Sequence, residues 1–147
     1  MADITIKSMS EEYVQAVYDL GMSTEQLQVH EDNPAYYSVD SLRKAVKSKN
    51  EVCLVALVDG KFAGFALSHI NPVFNEAYLS DVALKPEHRG GGLGSQLFNK
   101  LEQILKTKGV DWCWALVHED NILMQEMIEK RGFEKGRKFF FYSRDGH

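Results

Sequence analysis

The sequence predicts a mixed α/β fold in which one mixed sheet is covered by helices on both faces. Three observations predict it. The pair Asp59-Gly60 separates two apolar runs, 51–58 (EVCLVALV) and 61–70 (KFAGFALSHI), and such a pair marks a tight hairpin because primed turns need positive φ. Leu93, Leu97, Leu101, Ile104 and Leu105 then recur at helical spacing, just after a strand-like stretch and a run of glycines. The elements read in order as β-α-α-β-β-β-α-β-α-β-β, which is neither a clean βα alternation nor a simple meander.

Each element has a local reason. Residues 3–9 (DITIKSM) alternate apolar and polar and read as a half-buried strand. Ser8 and Glu11 fit a capping box, followed by a helical stripe of Tyr13, Val14, Val17, Tyr18 and Leu20. Residues 22–38 are irregular and polar, with a loop at His30 to Pro34, and a second helix runs from Val39 to about Lys47. After the hairpin, Pro72 and Asn75 mark a turn, and 76–85 form another strand ending at Pro86. Residues 92–108 form a helix stopped by Gly109. Residues 111–117 (DWCWALV) read as a buried strand, and Asp120 caps a helix over 121–131 that ends at Gly132. Two short strands, near 133–136 and 138–144, complete the prediction.

Composition bounds the function. A chain of 147 residues fits one domain over 1–147 and can bury a core without staples. Hydrophobic residues make up 44% and charged residues 26%, the balance of a soluble globular protein. The net charge of −4 gives no support for nucleic-acid binding and mildly favours a cationic small molecule. Cys53 and Cys113 lie in apolar runs, which reads as buried free thiols in a reducing compartment. Neither cysteines nor the scattered histidines have metal-ligand spacing. The start shows no secretory pattern, and no apolar run is long enough for a membrane span, so a cytoplasmic location is expected.

The most informative stretch is 82–95, VALKPEHRGGGLGS. A strand ends, glycines follow and an amphipathic helix begins. The first N–H groups of a helix lack internal partners and carry partial positive charge. Glycines let the backbone close around an anion, and Arg89 adds a fork of donors. Together they make a seat for a phosphate or pyrophosphate. A plain glycine-rich connector is the alternative. A P-loop is excluded because Gly94 is followed by Ser95-Gln96, and the dinucleotide fingerprint because Leu97 stands where its third glycine belongs.

Arg89-x-x-Gly92-x-Gly94, in this strand–turn–helix context, resembles motif A of the GNAT superfamily of acyl-CoA N-acyltransferases. Asn121 and Lys130-Arg131-Gly132-Phe133 resemble that family's Asn…Lys-x-Gly-Phe segment. The resemblance covers residues 3 to 143. It implies a mixed, mostly antiparallel sheet splayed open after strand 76–85, with the acyl donor acetyl-CoA in the gap and no metal. It further implies that the backbone of Val82, Ala83 and Leu84 binds the pantetheine arm. Arg89, Gly90, Gly91, Gly92, Leu93, Gly94 and Ser95 would hold the pyrophosphate. Asn121 would reach the pantetheine or thioester, unless it only starts a helix. The backbone N–H near Val82 would polarise the thioester carbonyl.

The catalytic positions depart from the family. Ile128 stands where many members carry an acidic tyrosine, Ser80 and Tyr78 where many carry a glutamate. Leu116 matches the glutamate of ribosomal-protein N-terminal acetylases, which counts against a protein-terminus acceptor. Tyr78 and Ser80 share a strand face with Val82 by period-two alternation, and either positions a water or passes a proton, or else both line the cleft. Asp81, the third catalytic candidate, points to the opposite face if the strand is regular, and a bulge would turn it inward. Tyr142 either reaches the thiol or joins Phe139, Phe140 and Phe141 in the core, and the core reading is preferred. For the acceptor, Glu31 and Asp32 with Tyr36 would receive a cationic amine, or else they form a solvated loop.

The expectation is therefore an enzyme that moves an acetyl group from acetyl-CoA to a small-molecule or peptide amine. A longer acyl chain, a peptide or protein acceptor, and a non-catalytic CoA-binding protein are the alternatives. No nucleic-acid or membrane partner is expected, and the aromatic final strand either joins a homodimer interface or serves an internal core.

Overall fold

A computed structural model describes residues 2–28 and 36–146 of the chain. Its centre is a five-stranded sheet in the order β1-β2-β3-β4-β5. These strands are β1 (Ile4–Ser8), β2 (Glu51–Val58), β3 (Lys61–Asn71), β4 (Glu76–Leu84) and β5 (Trp112–Trp114). The first four are antiparallel neighbours, and β5 joins β4 in parallel. The helices are α1 (Val14–Ser23), α2 (Val39–Lys47), α3 (Leu93–Thr107) and α4 (Ile122–Glu129).

The β2–β3 hairpin turns on Asp59 and Gly60 at φ 51° and 80°, the left-handed pair that a two-residue primed turn demands. β2 and β3 are buried on both faces because each face carries a helical layer. On one face α3 lays Leu93, Leu97, Phe98, Leu101 and Leu105 against Leu54, Ala66, Ala77 and Leu79. On the other, α1 and α2 bury Val14, Val17, Leu20 and Leu42 with Val55, Phe65 and Leu67. Each fully buried aliphatic contributes roughly 1.5–3 kcal/mol of transfer free energy.

Local chemistry sets the helix ends. Ser38 Oγ accepts from the Ser41 N–H at 3.1 Å and caps α2, while Lys44 and Lys47 suit its negative end. The expected capping box is not formed. Ser8 is the last residue of β1, and Ser10 precedes a 3₁₀ turn (Glu11–Tyr13) with its hydroxyl donating to Glu12 instead. Asn121, not Asp120, caps α4, its Oδ1 accepting from the Met124 N–H at 3.2 Å.

Arg131 fastens α4 to α3. Its guanidinium lies 4.7 Å over the Phe98 ring and donates to Asn99 Oδ1, Glu102 Oε1 and the Ser95 carbonyl.

The C-terminal third differs most from the sequence expectation. β5 spans three residues rather than 111–117, and Trp112 and Leu116 are exposed. Cys113 is half-buried, whereas Cys53 is buried as expected. The two closing strands are not formed, because a strand exists only where a ladder partner holds it, and among the described residues none pairs with 133–146. The core placement of Tyr142 is corrected with them: Phe139, Phe140 and Tyr142 are more than four-fifths exposed and Phe141 more than half.

Candidate active site

The site is organised by one extra residue in β4. Leu67 pairs with Asp81 but Ser68 pairs with Leu79, so Ser80 is the bulged residue. Below the bulge Ala77 and Leu79 face α3; above it Val82 and Leu84 do. Tyr78 contributes to the opposite face, where Asp81 meets Tyr36 and Ala83 packs with the α1–α2 layer. The expectation that Tyr78 and Ser80 share a face with Val82 is thus corrected: the added residue inverts the alternation. Two serines satisfy the distorted backbone. Ser68 Oγ donates to the Tyr78 carbonyl at 3.0 Å and Ser80 Oγ to the Leu67 carbonyl at 3.2 Å.

Asp81 becomes the centre of a polar cluster. The Tyr36 hydroxyl donates to Asp81 Oδ2 at 3.0 Å, and the Ser80 hydroxyl lies 3.4 Å from the same oxygen. Burial pushes the Asp81 carboxyl above the usual carboxylate range, opposed by the Tyr36 hydrogen bond, the charge of His69 and the Ser80 hydrogen bond. Burial also raises the phenols of Tyr36 and Tyr78, and Tyr37 is pushed up to about 12, so all three stay protonated at neutral pH. Tyr36 is placed by a close approach to Gly21 of α1, where an added Cβ would sit 2.5 Å from its ring.

A second relay runs beside the first. His69 Nδ1 bonds the Glu51 carboxylate, and its Nε2 lies 3.2 Å from the Tyr37 hydroxyl. Which of Nε2 and the Tyr37 hydroxyl donates follows from the tautomer of the His69 ring. The His69 ring lies 6.0 Å from that of Tyr78, which stacks on Trp114 at 4.3 Å. Tyr37, His69 and Glu51 also line a cavity of about 320 Å³ between α2 and the β2–β3 hairpin, floored by Leu42, Cys53 and Leu67. Glu51 and His69 were not anticipated from sequence. They sit near opposite ends of the hairpin strands, and only the Glu51–His69 register pairing joins them.

The other half of the site is backbone. β4 and β5 pair only over Glu76–Tyr78 and Trp112–Trp114. From Leu79 to Leu84 the β4 edge on that side has no strand partner among the described residues, so its amides and carbonyls can accept an extended ligand as an added strand. Beyond β4, a 3₁₀ turn (Pro86–His88) leads to Gly90 and Gly92 at φ 81° and 85°. Gly92 is the N-cap of α3 and supplies no capping side chain, so the first amides of the helix remain available to an anion. Arg89 folds back, its Nε donating to the Leu84 carbonyl at 3.1 Å.

The structure therefore gathers Tyr36, Tyr78, Ser80 and Asp81 at the bulge. Val82, Ala83 and Leu84 lie on the open β4 edge, and Arg89 through Ser95 in the glycine turn and first turn of α3. Asn121 sits at the start of α4 with its carbonyl oxygen committed to the cap. Glu31 and Asp32 lie outside the described residues, as does His30.

A sheet opened at a parallel edge, with a glycine turn and a helix N-terminus at the end of the opening strand, offers backbone donors to an extended ligand with an anionic end. Residues 14–133 match the Acetyltransferase (GNAT) family, and the chain belongs to it. It is similar to the [Ribosomal protein bS18]-alanine N-acetyltransferase of Escherichia coli strain K12, at 31% identity over 90 residues, 60% of each chain. The match thus spans less than two thirds of that relative's length. In fold it resembles the PaiA N-acetyltransferase of Thermoplasma acidophilum, solved with coenzyme A (TM-score 0.79, 23% identity, 90% of each chain). It also resembles an aminoglycoside acetyltransferase from an uncultured soil metagenomic sample (TM-score 0.78, 17% identity, 97% of each chain).

Proposed function

We propose that this chain is an acetyl-CoA-dependent N-acetyltransferase in which Asp81 is the general base. The observation that carries the reading is the bulge at Ser80, which turns a half-buried carboxyl toward Tyr36 beside an open β4 edge. The pantetheine arm extends along Val82, Ala83 and Leu84, and the pyrophosphate rests on the amides of Gly90 to Ser95. With Nε turned to the Leu84 carbonyl, Arg89 keeps its terminal nitrogens for the phosphates. The free amide of Asn121 reaches toward the pantetheine.

The acceptor enters as an ammonium. Asp81 takes its proton directly or through one water, and the freed amine attacks the thioester carbonyl carbon. The carbonyl oxygen gathers charge beside the Val82 N–H, and collapse of the adduct breaks the C–S bond while the second proton on its nitrogen passes to the departing thiolate. The thiolate leaves without an obligatory acid because thiol pKa values lie near 8.5. Tyr78, held protonated, is available as a donor to it. This assignment places the base at Asp81 rather than at Ser80 or Tyr78, and it leaves Ile128 without a chemical role.

We place the acceptor between Tyr36, Tyr37 and His69, with its amine toward Asp81 and its body in the cavity over Leu42 and Leu67. Aromatic walls and the Glu51 and Asp81 carboxyls favour a cationic amine. A peptide α-amine is the second reading, supported by the likeness to ribosomal-protein alanine acetyltransferases. The unpaired Cys53 and Cys113 support a reducing, cytoplasmic setting. Thiol release from acetyl-CoA, measured against polyamines, aminoglycosides and amino-terminal peptides, tests the reading. Acceptor-dependent release supports it and names the acceptor class, whereas binding of acetyl-CoA without release on any acceptor opposes it.

A further inference from the structure

The cavity between α2 and the β2–β3 hairpin has one chemistry along its floor and another toward its ends. Leu42, Ala45, Cys53 and Leu67 make the floor and the α2 wall apolar. Leu67 pairs with Asp81 across β3 and β4. His69, two residues on and on the same face, pairs with Glu51 across β2 and β3. A carboxyl therefore stands beyond each end of the apolar floor, and the charges of both bear on the Tyr37 phenol between them. Glu51 is half-buried and held in place, its Oε2 bonding His69 Nδ1 while His69 Nε2 meets the Tyr37 hydroxyl. Its Oε1 has no hydrogen-bond partner among the described residues. Lys44 on the rim is paired with Asp40 at 3.5 Å, which offsets its charge.

The sheet sets the span between the two carboxyls. Asp81 and Glu51 lie on opposite sides of β3 and two residues apart along it. At about 4.8 Å per strand spacing and about 3.3 Å per residue, their Cα atoms are ~12 Å apart. An ammonium stands about 3 Å from its carboxylate, which leaves roughly 6 Å between two nitrogens if both stand inside and roughly 9 Å if one stands over its carboxylate. An extended chain advances about 1.2 Å per bond, so this interval takes about five to seven bonds, a spacer of about four to six methylenes. Other amines fit the floor less well. A sugar amine would lay hydroxyls on Leu42 and Leu67, and a peptide would lay there the carbonyl next to its α-amine, with no polar partner for either on those side chains.

We infer that the acceptor is a linear α,ω-diamine, cationic at both ends and apolar between, with its reacting nitrogen at Asp81 and its distal ammonium on Glu51 Oε1. Glu51 is then the residue that determines acceptor length, and His69 positions it. The inference rests on the catalytic reading that sets the acceptor amine at Asp81. The two ends are treated differently: the near nitrogen gives its proton to Asp81 and attacks, while the distal nitrogen keeps its proton and stays paired with Glu51. The product amide is neutral at Asp81 and has lost one of the two charge contacts, which favours its release. A monoacetylated diamine that turned end for end would set an amide against Glu51, so a second acetylation is disfavoured.

The test measures turnover with acetyl-CoA, and calorimetric binding to the CoA-loaded chain, for a series of α,ω-diamines from ethylenediamine upward, the monoamines of equal length and the matching ω-amino acids. The diamine kcat/KM should peak within the spacer range given by the sheet and exceed that of the equal monoamine by about 10–100-fold, the usual worth of a hydrogen bond to a charged group. An ω-amino acid brings a carboxylate to Glu51 and should fall below the monoamine. Glu51→Gln should raise KM for the best diamine by a similar factor, with little change in kcat, because the contact is the same in the ground and transition states. It should also flatten the length profile. A flat wild-type profile, equal use of diamine and monoamine, or a preference that survives Glu51→Gln would overturn the inference. Acetyl-CoA binding with no amine acetylated would instead overturn the catalytic reading, and calorimetry would then decide the site. Diamine binding with the same optimum sustains it, and binding without an optimum, or none, sinks it. If Glu51→Gln fails to fold, the wild-type length profile and the ω-amino acid contrast decide.

Discussion

Asp81 is held under opposing influences that its role as a base requires. Burial raises its carboxyl, while Tyr36, His69 and Ser80 draw it back. Asp81→Asn should lower kcat by about 10²–10⁴, the usual worth of a positioned base, while acetyl-CoA binding by calorimetry stays unchanged. Tyr36→Phe removes a hydrogen bond that lowers the carboxyl, so the acid limb of the kcat/KM profile should move to higher pH. A carboxyl raised by folding binds protons in the folded state over a range where the unfolded chain has released them. Stability from this group is therefore present at the low-pH side of that range and lost as pH rises through it. The melting temperature of Asp81→Asn relative to wild type should climb across that interval and level off above it, as thermal scans at several pH values would show.

At the scale of single elements, the glycine turn and α1 both depend on missing side chains. Gly92 lies at φ 85° with open space around it, so an added Cβ there meets strain from the backbone alone. Gly92→Ala should cost about 1–2 kcal/mol and weaken acetyl-CoA binding. Gly91→Ala, next to it, has the same open space and no positive φ, so its melting point should match wild type. Gly21→Ala tests the other side of the site. Its Cβ would displace the Tyr36 ring, so the variant should reproduce the Tyr36→Phe shift in the pH profile and add a loss of stability. Differential scanning fluorimetry with and without acetyl-CoA separates these effects.

Across the whole molecule, two apolar layers clamp the sheet, and their balance decides stability. Leu97 is completely buried at the centre of the α3 layer. Leu97→Ala should destabilise by about 2–5 kcal/mol, read as a shift in the urea midpoint at unchanged slope. Among the described residues the open end has no such layer of its own. Where β4 and β5 diverge, the sheet leaves an open β4 edge, and among the described residues β5 has no strand partner besides β4.

The sequence by itself determined the elements that local pattern controls. The hairpin at Asp59-Gly60, the bounds of α2, the apolar stripe of α3 and the glycine turn at its start are all written in consecutive residues, because turn dihedrals and helical periodicity are short-range properties. The family followed from the same turn. Only the tertiary structure decided the rest. The bulge at Ser80 depends on how β3 pairs with β4, and no spacing within 76–84 reveals it, yet it selects which side chains meet the acceptor. Tyr36 reaches Asp81 across 45 residues of chain, and Glu51 reaches His69 across a hairpin. The C-terminal segment has every local mark of a strand and forms none here, because a strand, unlike a helix, has its hydrogen-bond partners on another segment.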